Sequence, residues 1–225
     1  MELTQRYERN RSTISPAEQE RLRAAHVLVL GCGGLGGYVI EFLSRIGVGH
    51  LRVVDGDVFC PSNLNRQLLS TEQNLGVNKA RVAAERVHAI NSGVAVEAVE
   101  AFADETNLPA LLEGQDLVVD ALDTAPARLL AARLAGEKGI PMVHGAICGW
   151  SARVHTLLPG DEIMEFLCGG GSAMYAAGNL PFTASLCASI EAAEAVKLLL
   201  HRGTAADKRL IEIDLHALTF DRIEL

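Results

Sequence analysis

The 225-residue sequence lacks long apolar runs, C-x-x-C pairs and an apolar leader, and each absence excludes a class of protein. No apolar run approaches about 18 residues, so we expect no membrane-spanning helix. The first residues, MELTQRYERNR, are polar and contain no signal-peptide core. The five cysteines are scattered and odd in number, which indicates free thiols, a reducing compartment and a cytoplasmic location rather than a disulfide framework.

Basic residues are also scarce. The chain has 20 lysines and arginines against 28 acidic residues, for a net charge of −8. This balance disfavours a nucleic-acid partner, because binding to a phosphate backbone depends on a basic surface. About half of the residues (49%) are hydrophobic, enough for a sizeable core in one domain over 1–225.

The apolar pattern predicts alternating strands and helices. Continuously apolar runs such as HVLVL are typical of strands buried on both faces of a parallel sheet. The predicted strands are 26–30, 50–54, 94–99, 117–121, 140–144 and a partly exposed strand at 151–158, with two more at 209–214 and 217–225. The predicted helices are 16–25, 36–46, 78–91, 126–138 and 181–201.

This alternation indicates an α/β fold, a doubly wound (Rossmann-like), mostly parallel sheet with helices on both faces and a C-terminal β-hairpin. We expect an N-terminal arm and helix at 1–25 and a Rossmann-like core at 26–149. Residues 150–225 would complete the domain with further strands and helices and would contain a Gly-rich crossover loop at 159–180.

A glycine-rich turn follows the first strand and opens the next helix. Such turns let the backbone approach phosphates, whose charge the helix N-terminus favours. Asp55 ends the second strand, where a carboxylate can accept ribose hydroxyls. The predicted nucleotide-binding glycines are Gly31, Gly33, Gly34 and Gly36. A nicotinamide- or flavin-dependent oxidoreductase would carry the same fingerprint, so the turn alone leaves the nucleotide open.

The long connection after Asp55 supplies further charged groups. Arg66 and Lys79 offer two cations, more than a pyrophosphate-linked dinucleotide needs. Asp123 follows the fourth strand, and a carboxylate beside phosphates commonly holds Mg²⁺. Alternatively, Arg66 and Lys79 are solvated surface charges and Asp123 caps the following helix.

Taken together, the motifs resemble those of the MoeB/ThiF/HesA adenylyltransferases, relatives of the ubiquitin-activating enzymes. The resemblance covers the chain from about Arg6 to Lys197. The matching segments are 6–9 (RYER), 31–36 (GCGGLG), 55–57 (DGD), 63–67 (NLNRQ), Lys79, Asp123 and 191–197 (EAAEAVK).

The resemblance implies ATP and Mg²⁺ as cofactors. It also implies adenylation of the C-terminal glycine of a small β-grasp sulfur carrier ending in Gly-Gly. Arg9 would act as an arginine finger in the other subunit of a homodimer, and Asp123 would hold the metal. The remaining implied nucleotide contacts are Asp55 at the ribose, the neighbouring Asp57, and Asn63, Arg66 and Lys79 at the phosphates.

The sequence departs from the family pattern at three points. The paired C-x-x-C motifs that bind structural zinc in many members are absent, so no zinc is expected. The usual Asp-Asn pair is Asp123-Thr124, and the cysteine that some members carry before the last long helix is missing. Cys168 could replace it but is expected to be unreactive. Adenylation of a peptide or small-molecule carboxylate stays open as an alternative, as does a non-catalytic scaffold.

Overall fold

A computed structural model of the chain describes residues 3–168, 178–203 and 209–225. Eight strands form one sheet in the order β3-β2-β1-β4-β5-β6-β7-β8. Neighbours among the first five in this order are parallel, and β6, β7 and β8 continue the sheet in antiparallel fashion. The strands are β1 His26–Leu30, β2 His50–Val54, β3 Ala95–Val99, β4 Leu117–Asp120, β5 Met142–Cys148, β6 Ser151–Leu157, β7 Arg209–Asp214 and β8 Thr219–Glu224.

Helices cover both faces of the sheet, which confirms the predicted doubly wound α/β fold. Side chains of α2, α3, α4 and α8 pack in one hydrophobic core, and side chains of α5, α6 and α7 pack in a second. The helices are α1 Leu3–Arg6, α2 Pro16–Ala24, α3 Gly36–Ile46, α4 Lys79–Ile90, α5 Leu108–Leu111, α6 Ala125–Glu137, α7 Met164–Cys168 and α8 Pro181–Leu199. Among the described residues, no helix is both long and apolar enough to cross a bilayer.

Capping side chains fix the starts of two helices. Ser15 and Glu18 form a capping box at the start of α2, with Pro16 in its first turn. Asn78 caps α4 by accepting hydrogen bonds from the backbone N–H groups of Ala80 and Arg81. This cap fixes the first residue of α4, which is Lys79.

Two glycines allow the turn after β1 to pass close to its neighbours. Gly31 has φ +94°, and a Cβ there would lie 2.6 Å from the carbonyl oxygen of Ala121. A Cβ on Gly36 would lie only 1.8 Å from the carbonyl oxygen of Gly31. Because no side chain fits at either position, the first turn of α3 packs directly against the end of β1.

Two expectations for the second half of the chain are wrong in detail. The segment 151–158, predicted as a partly exposed strand, forms β6, and five of its seven side chains are buried. It is buried because β7 pairs along its second edge and α8 packs over it. Cys168 ends α7 rather than lying in a loop. Most of the predicted Gly-rich loop, 169–177, lies outside the described residues.

Glu191 of α8 places a carboxyl group in the core. A Cβ on Gly145 of β5 would lie 2.4 Å from the carboxyl carbon of Glu191, so only glycine leaves room for it. Both carboxyl oxygens are buried and find no hydrogen-bond partner among the described residues. Burial, together with the charge of Asp120, raises the pKa of Glu191 well above its ordinary value. Burial without a hydrogen-bond partner therefore favours the neutral form of this carboxyl group.

We predict that Glu191→Gln makes the free energy of unfolding less dependent on pH. The unfolded chain loses this proton above about pH 4.5, whereas the folded chain keeps it. Stability therefore falls by up to about 1.4 kcal/mol per pH unit between the unfolded and folded pKa values. Urea denaturation from pH 5 to 8 should show this slope in the wild type and a flatter one in the variant. The exposed Glu137→Gln is the matched control, and parallel slopes for wild type and Glu191→Gln would contradict the prediction.

Candidate functional site

A cleft of about 210 Å³ opens at the carboxyl ends of β1, β2 and β4. It lies where open α/β sheets bind ligands, and the glycine turn before α3 forms its floor. The loop after β3 and the first turn of α6 complete its walls. Of the predicted site residues, the structure brings eight together around this cleft: Gly31, Gly33, Gly34, Asp55, Asp57, Arg66, Lys79 and Asp123.

Asp55 links the glycine turn to the end of β2. One carboxylate oxygen accepts a hydrogen bond from the backbone N–H of Cys32 at 2.8 Å, and the other accepts from that of Asp57 at 2.9 Å. Burial raises the pKa of Asp55, and the two N–H donors partly offset that effect. Each oxygen keeps a second lone pair, so the carboxylate can still accept a hydrogen bond from a ribose hydroxyl.

Lys79 is a buried cation rather than a solvated one. Only 7% of the residue is exposed, and its Nζ lies 3.1 Å from Oδ2 of Asp57. The backbone N–H of Lys79 also donates to the carbonyl of Asp57. Because a buried lysine needs a partner, Asp57 holds the ammonium in the cleft wall, where a phosphate oxygen can approach it.

Arg66 and Gln67 lie over the glycine turn. The Arg66 side chain passes close to Gly34, and its Nη1 donates to the carbonyl of Ser62 and to Oδ1 of Asn65. Gln67 is 7% exposed, with its amide beside Gly33. Its Oε1 finds no hydrogen-bond partner among the described residues. The turn is thus covered by one guanidinium and one amide that still has a free acceptor.

Asp123 is exposed in the cleft, three residues beyond the end of β4. The N-cap of α6 is Thr124, whose side chain makes no capping hydrogen bond, so the alternative that Asp123 caps this helix is wrong. In the described parts of the chain, no three His, Cys, Asp or Glu side chains gather to hold a metal. A single carboxylate still suits Mg²⁺, which is commonly held by one or two carboxylates together with nucleotide phosphates and water.

Arg128 is a third cation in the cleft that sequence reasoning missed. It is 7% exposed and donates from Nε and Nη2 to the carbonyl of Leu122. Its Nε lies 3.9 Å from the buried Asp120, which in turn contacts Nδ1 of His144 at 2.7 Å. In the sequence, Arg128 is recognisable only as a basic residue in the first turn of the helix after Asp123. Its position in the cleft depends on the pairing of β4 with β5, which places His144 beside Asp120.

Three predicted residues lie outside the cleft lining. Asn63 is buried, and its Oδ1 accepts a hydrogen bond from the backbone N–H of Cys60, so its side chain supports the loop. Gly36 lies behind the glycine turn at the start of α3. Arg9 is exposed in a short 3-10 turn of the N-terminal arm. Their roles in nucleotide binding and catalysis stay predictions.

All five cysteines are unpaired. Cys32 and Cys187 are fully buried in the core, and burial raises the pKa values of their thiols. Burial also raises the pKa of the half-buried Cys168, which disfavours a reactive thiolate. Cys60 is exposed, and a hydrogen bond with Ser62 lowers its pKa.

Comparisons with known proteins give a consistent picture. A sequence profile described as the ThiF family matches residues 7–225. The SAMP-activating enzyme E1 of Haloferax volcanii is 38% identical over 216 residues, covering 93% of this chain and 80% of that protein. The sulfur carrier protein adenylyltransferase of Thermus thermophilus is 36% identical over 222 residues, covering 93% and 82%. The crystal structure of Escherichia coli MccB with MccA-N7isoASN superposes with a TM-score of 0.85 at 20% identity, covering 100% of this chain and 72% of that one.

Proposed function

This chain belongs to the ThiF family, and we propose that it is an ATP-dependent adenylyltransferase acting on a small ubiquitin-like sulfur carrier. Its substrate group is the C-terminal glycine carboxylate of a β-grasp protein ending in Gly-Gly, in the biosynthesis of a sulfur-containing cofactor. The observation that carries this proposal is the cleft itself, where Arg66, Lys79 and Arg128 surround a glycine turn and face Asp123. Three cations beside one glycine turn suit a triphosphate better than a dinucleotide.

The proposed reaction needs positioning and charge rather than a base. A carboxylate oxygen of the carrier attacks the α-phosphorus of ATP, the bond from that phosphorus to the bridging oxygen breaks, and pyrophosphate leaves. The product is an acyl-adenylate. Because the glycine carboxylate is already ionised at neutral pH, no proton has to be removed. Negative charge grows on the α-phosphate and the leaving group, so cations held in the cleft favour the transition state.

Different residues of the cleft bind different parts of the nucleotide. The turn at Gly33 and Gly34 allows the phosphates to approach the backbone, and Asp55 accepts from the ribose. Lys79, Arg66 and Arg128 stabilise the phosphate charges. When bound, Mg²⁺ would neutralise phosphate oxygens, and Asp123 would hold it. Asp57 acts through Lys79 by keeping its ammonium in place.

A second subunit completes the proposed enzyme. We place Arg9 in the cleft of the partner subunit of a homodimer, where it would add another cation. The five unpaired cysteines support a reducing, cytoplasmic setting for this enzyme.

ATP–pyrophosphate exchange tests the proposal. We predict that purified protein incorporates labelled pyrophosphate into ATP only in the presence of Mg²⁺ and a carrier with a free C-terminal glycine. A carrier lacking both terminal glycines, or carrying a C-terminal amide, is the matched control and should support no exchange. Exchange that proceeds equally with either control carrier would contradict the proposed substrate. Tight binding of NAD with no binding of ATP would contradict the proposed class of enzyme.

A further inference from the structure

We propose that Phe102 forms the surface on which the base of the bound nucleotide stacks, an inference that rests on the proposed use of ATP. Phe102 lies in the loop after β3 and lines the cleft between Ala101 and Ala103. Phe, Tyr and Trp make up only 4% of the chain, so an aromatic ring at a ligand cleft is uncommon here.

The topology of the sheet places Phe102 at the base end of the cleft. The glycine turn follows β1, Asp55 follows β2, and the loop carrying Phe102 follows β3. These strands are neighbours in the order β3-β2-β1 and run in parallel, so their carboxyl ends form one continuous edge. A nucleotide with phosphates at the glycine turn and ribose at Asp55 therefore extends its base toward Phe102.

The ring is exposed but held in position. Phe102 is 66% exposed, and small side chains flank it at Ala101 and Ala103, which leaves a face of the ring open. The ring lies against Gly56, where an added Cβ would be 2.7 Å from Cδ2 of Phe102. The carbonyl of Phe102 accepts a hydrogen bond from Nδ2 of Asn107 at 2.8 Å, which ties down the loop. A planar base would cover apolar surface that now faces water.

Phe102→Ala tests this role through the affinity for ATP. Loss of one base–aromatic stack is worth about 1–3 kcal/mol, so we expect the Kd of ATP to rise roughly five- to hundredfold. Binding of inorganic tripolyphosphate should be unchanged, because the phosphate contacts are intact. The preference for ATP over UTP should also shrink, since a purine offers the larger stacking face. Phe220→Ala, which removes a ring that is 60% exposed at the far edge of the sheet, is the matched control.

A double-mutant cycle with Gly56 gives a second measurement. Gly56→Ala should weaken ATP binding in the wild-type background because its methyl group displaces the Phe102 ring. The same change should have little effect in the Phe102→Ala background, where no ring remains to be displaced. Phe102 is a surface residue, so both variants should retain the wild-type Tm within a few degrees.

The outcomes separate this inference from the proposed function. An unchanged Kd of ATP in Phe102→Ala, or additive effects in the cycle, would overturn the stacking role while leaving ATP use intact. A wild-type protein that binds tripolyphosphate but no ATP would overturn both.

Discussion

Replacing Asp123 by alanine is expected to lower the rate of carrier-dependent ATP–pyrophosphate exchange by about 10² to 10⁴-fold. Asp123 lies exposed in the cleft and does not cap α6, whereas Asp55 accepts hydrogen bonds from two backbone N–H groups and Asp57 pairs with Lys79. Removing it would take away the proposed protein ligand of Mg²⁺ where charge develops. The affinity for ATP in the absence of metal should change far less than the exchange rate.

Two further variants sharpen this test. Asp221→Ala removes an exposed carboxylate from β8 and should exchange at the wild-type rate. Asp123→Asn keeps the size of the side chain but removes its negative charge, so the half-saturating concentration of Mg²⁺ should rise for this variant. If Asp123→Ala exchanges pyrophosphate as fast as the wild type, Asp123 does not hold the metal.

The order of the elements could be predicted from local patterns. HVLVL in β1 is continuously apolar, and the glycine turn after it ends the strand sharply, so the strand and the start of the next helix could be placed. The exposure of β6 could not be predicted, because its burial depends on pairing with β7 more than 50 residues later in the chain. Local periodicity carries no information about which strand covers an edge.

In the candidate site, too, residues in short motifs could be predicted, whereas residues placed by long-range contacts could not. Lys79 and Asp57 belong to short motifs, and the structure joins them. Arg128 was missed because its side chain turns back to the carbonyl of Leu122 beside Asp120, a contact that the sequence spacing does not reveal. Phe102 was missed because an isolated aromatic in a loop has no periodic partners. Its place in the cleft depends on the alignment of β3 beside β2.

The arm that carries Arg9 lies far from the cleft of its own subunit. Arg6 donates from Nη1 to the carbonyl of Ile90, and Asn91 donates from Nδ2 to the hydroxyl of Tyr7. These contacts are at the end of α4, whose first residue, Lys79, lines the cleft. A helix of 12 residues is about 18 Å long, and the two residues from Tyr7 to Arg9 extend at most about 7 Å. These contacts anchor the arm at the opposite end of α4 from the cleft, so we expect Arg9 to act on another molecule.

Mixing two inactive variants should therefore restore activity. Arg9→Ala and Asp123→Ala should each be nearly inactive alone, and random re-association of equal amounts gives about half heterodimers. Each heterodimer has one doubly damaged site and one intact site, so about a quarter of all sites should recover. An Arg9 acting within its own chain would restore none.

Arg11→Ala, in the same arm, is the control. Its mixture with Asp123→Ala should show only the activity that Arg11→Ala contributes. If activity stays at the level of the separate mutants while mass spectrometry confirms subunit exchange, Arg9 does not act across the dimer.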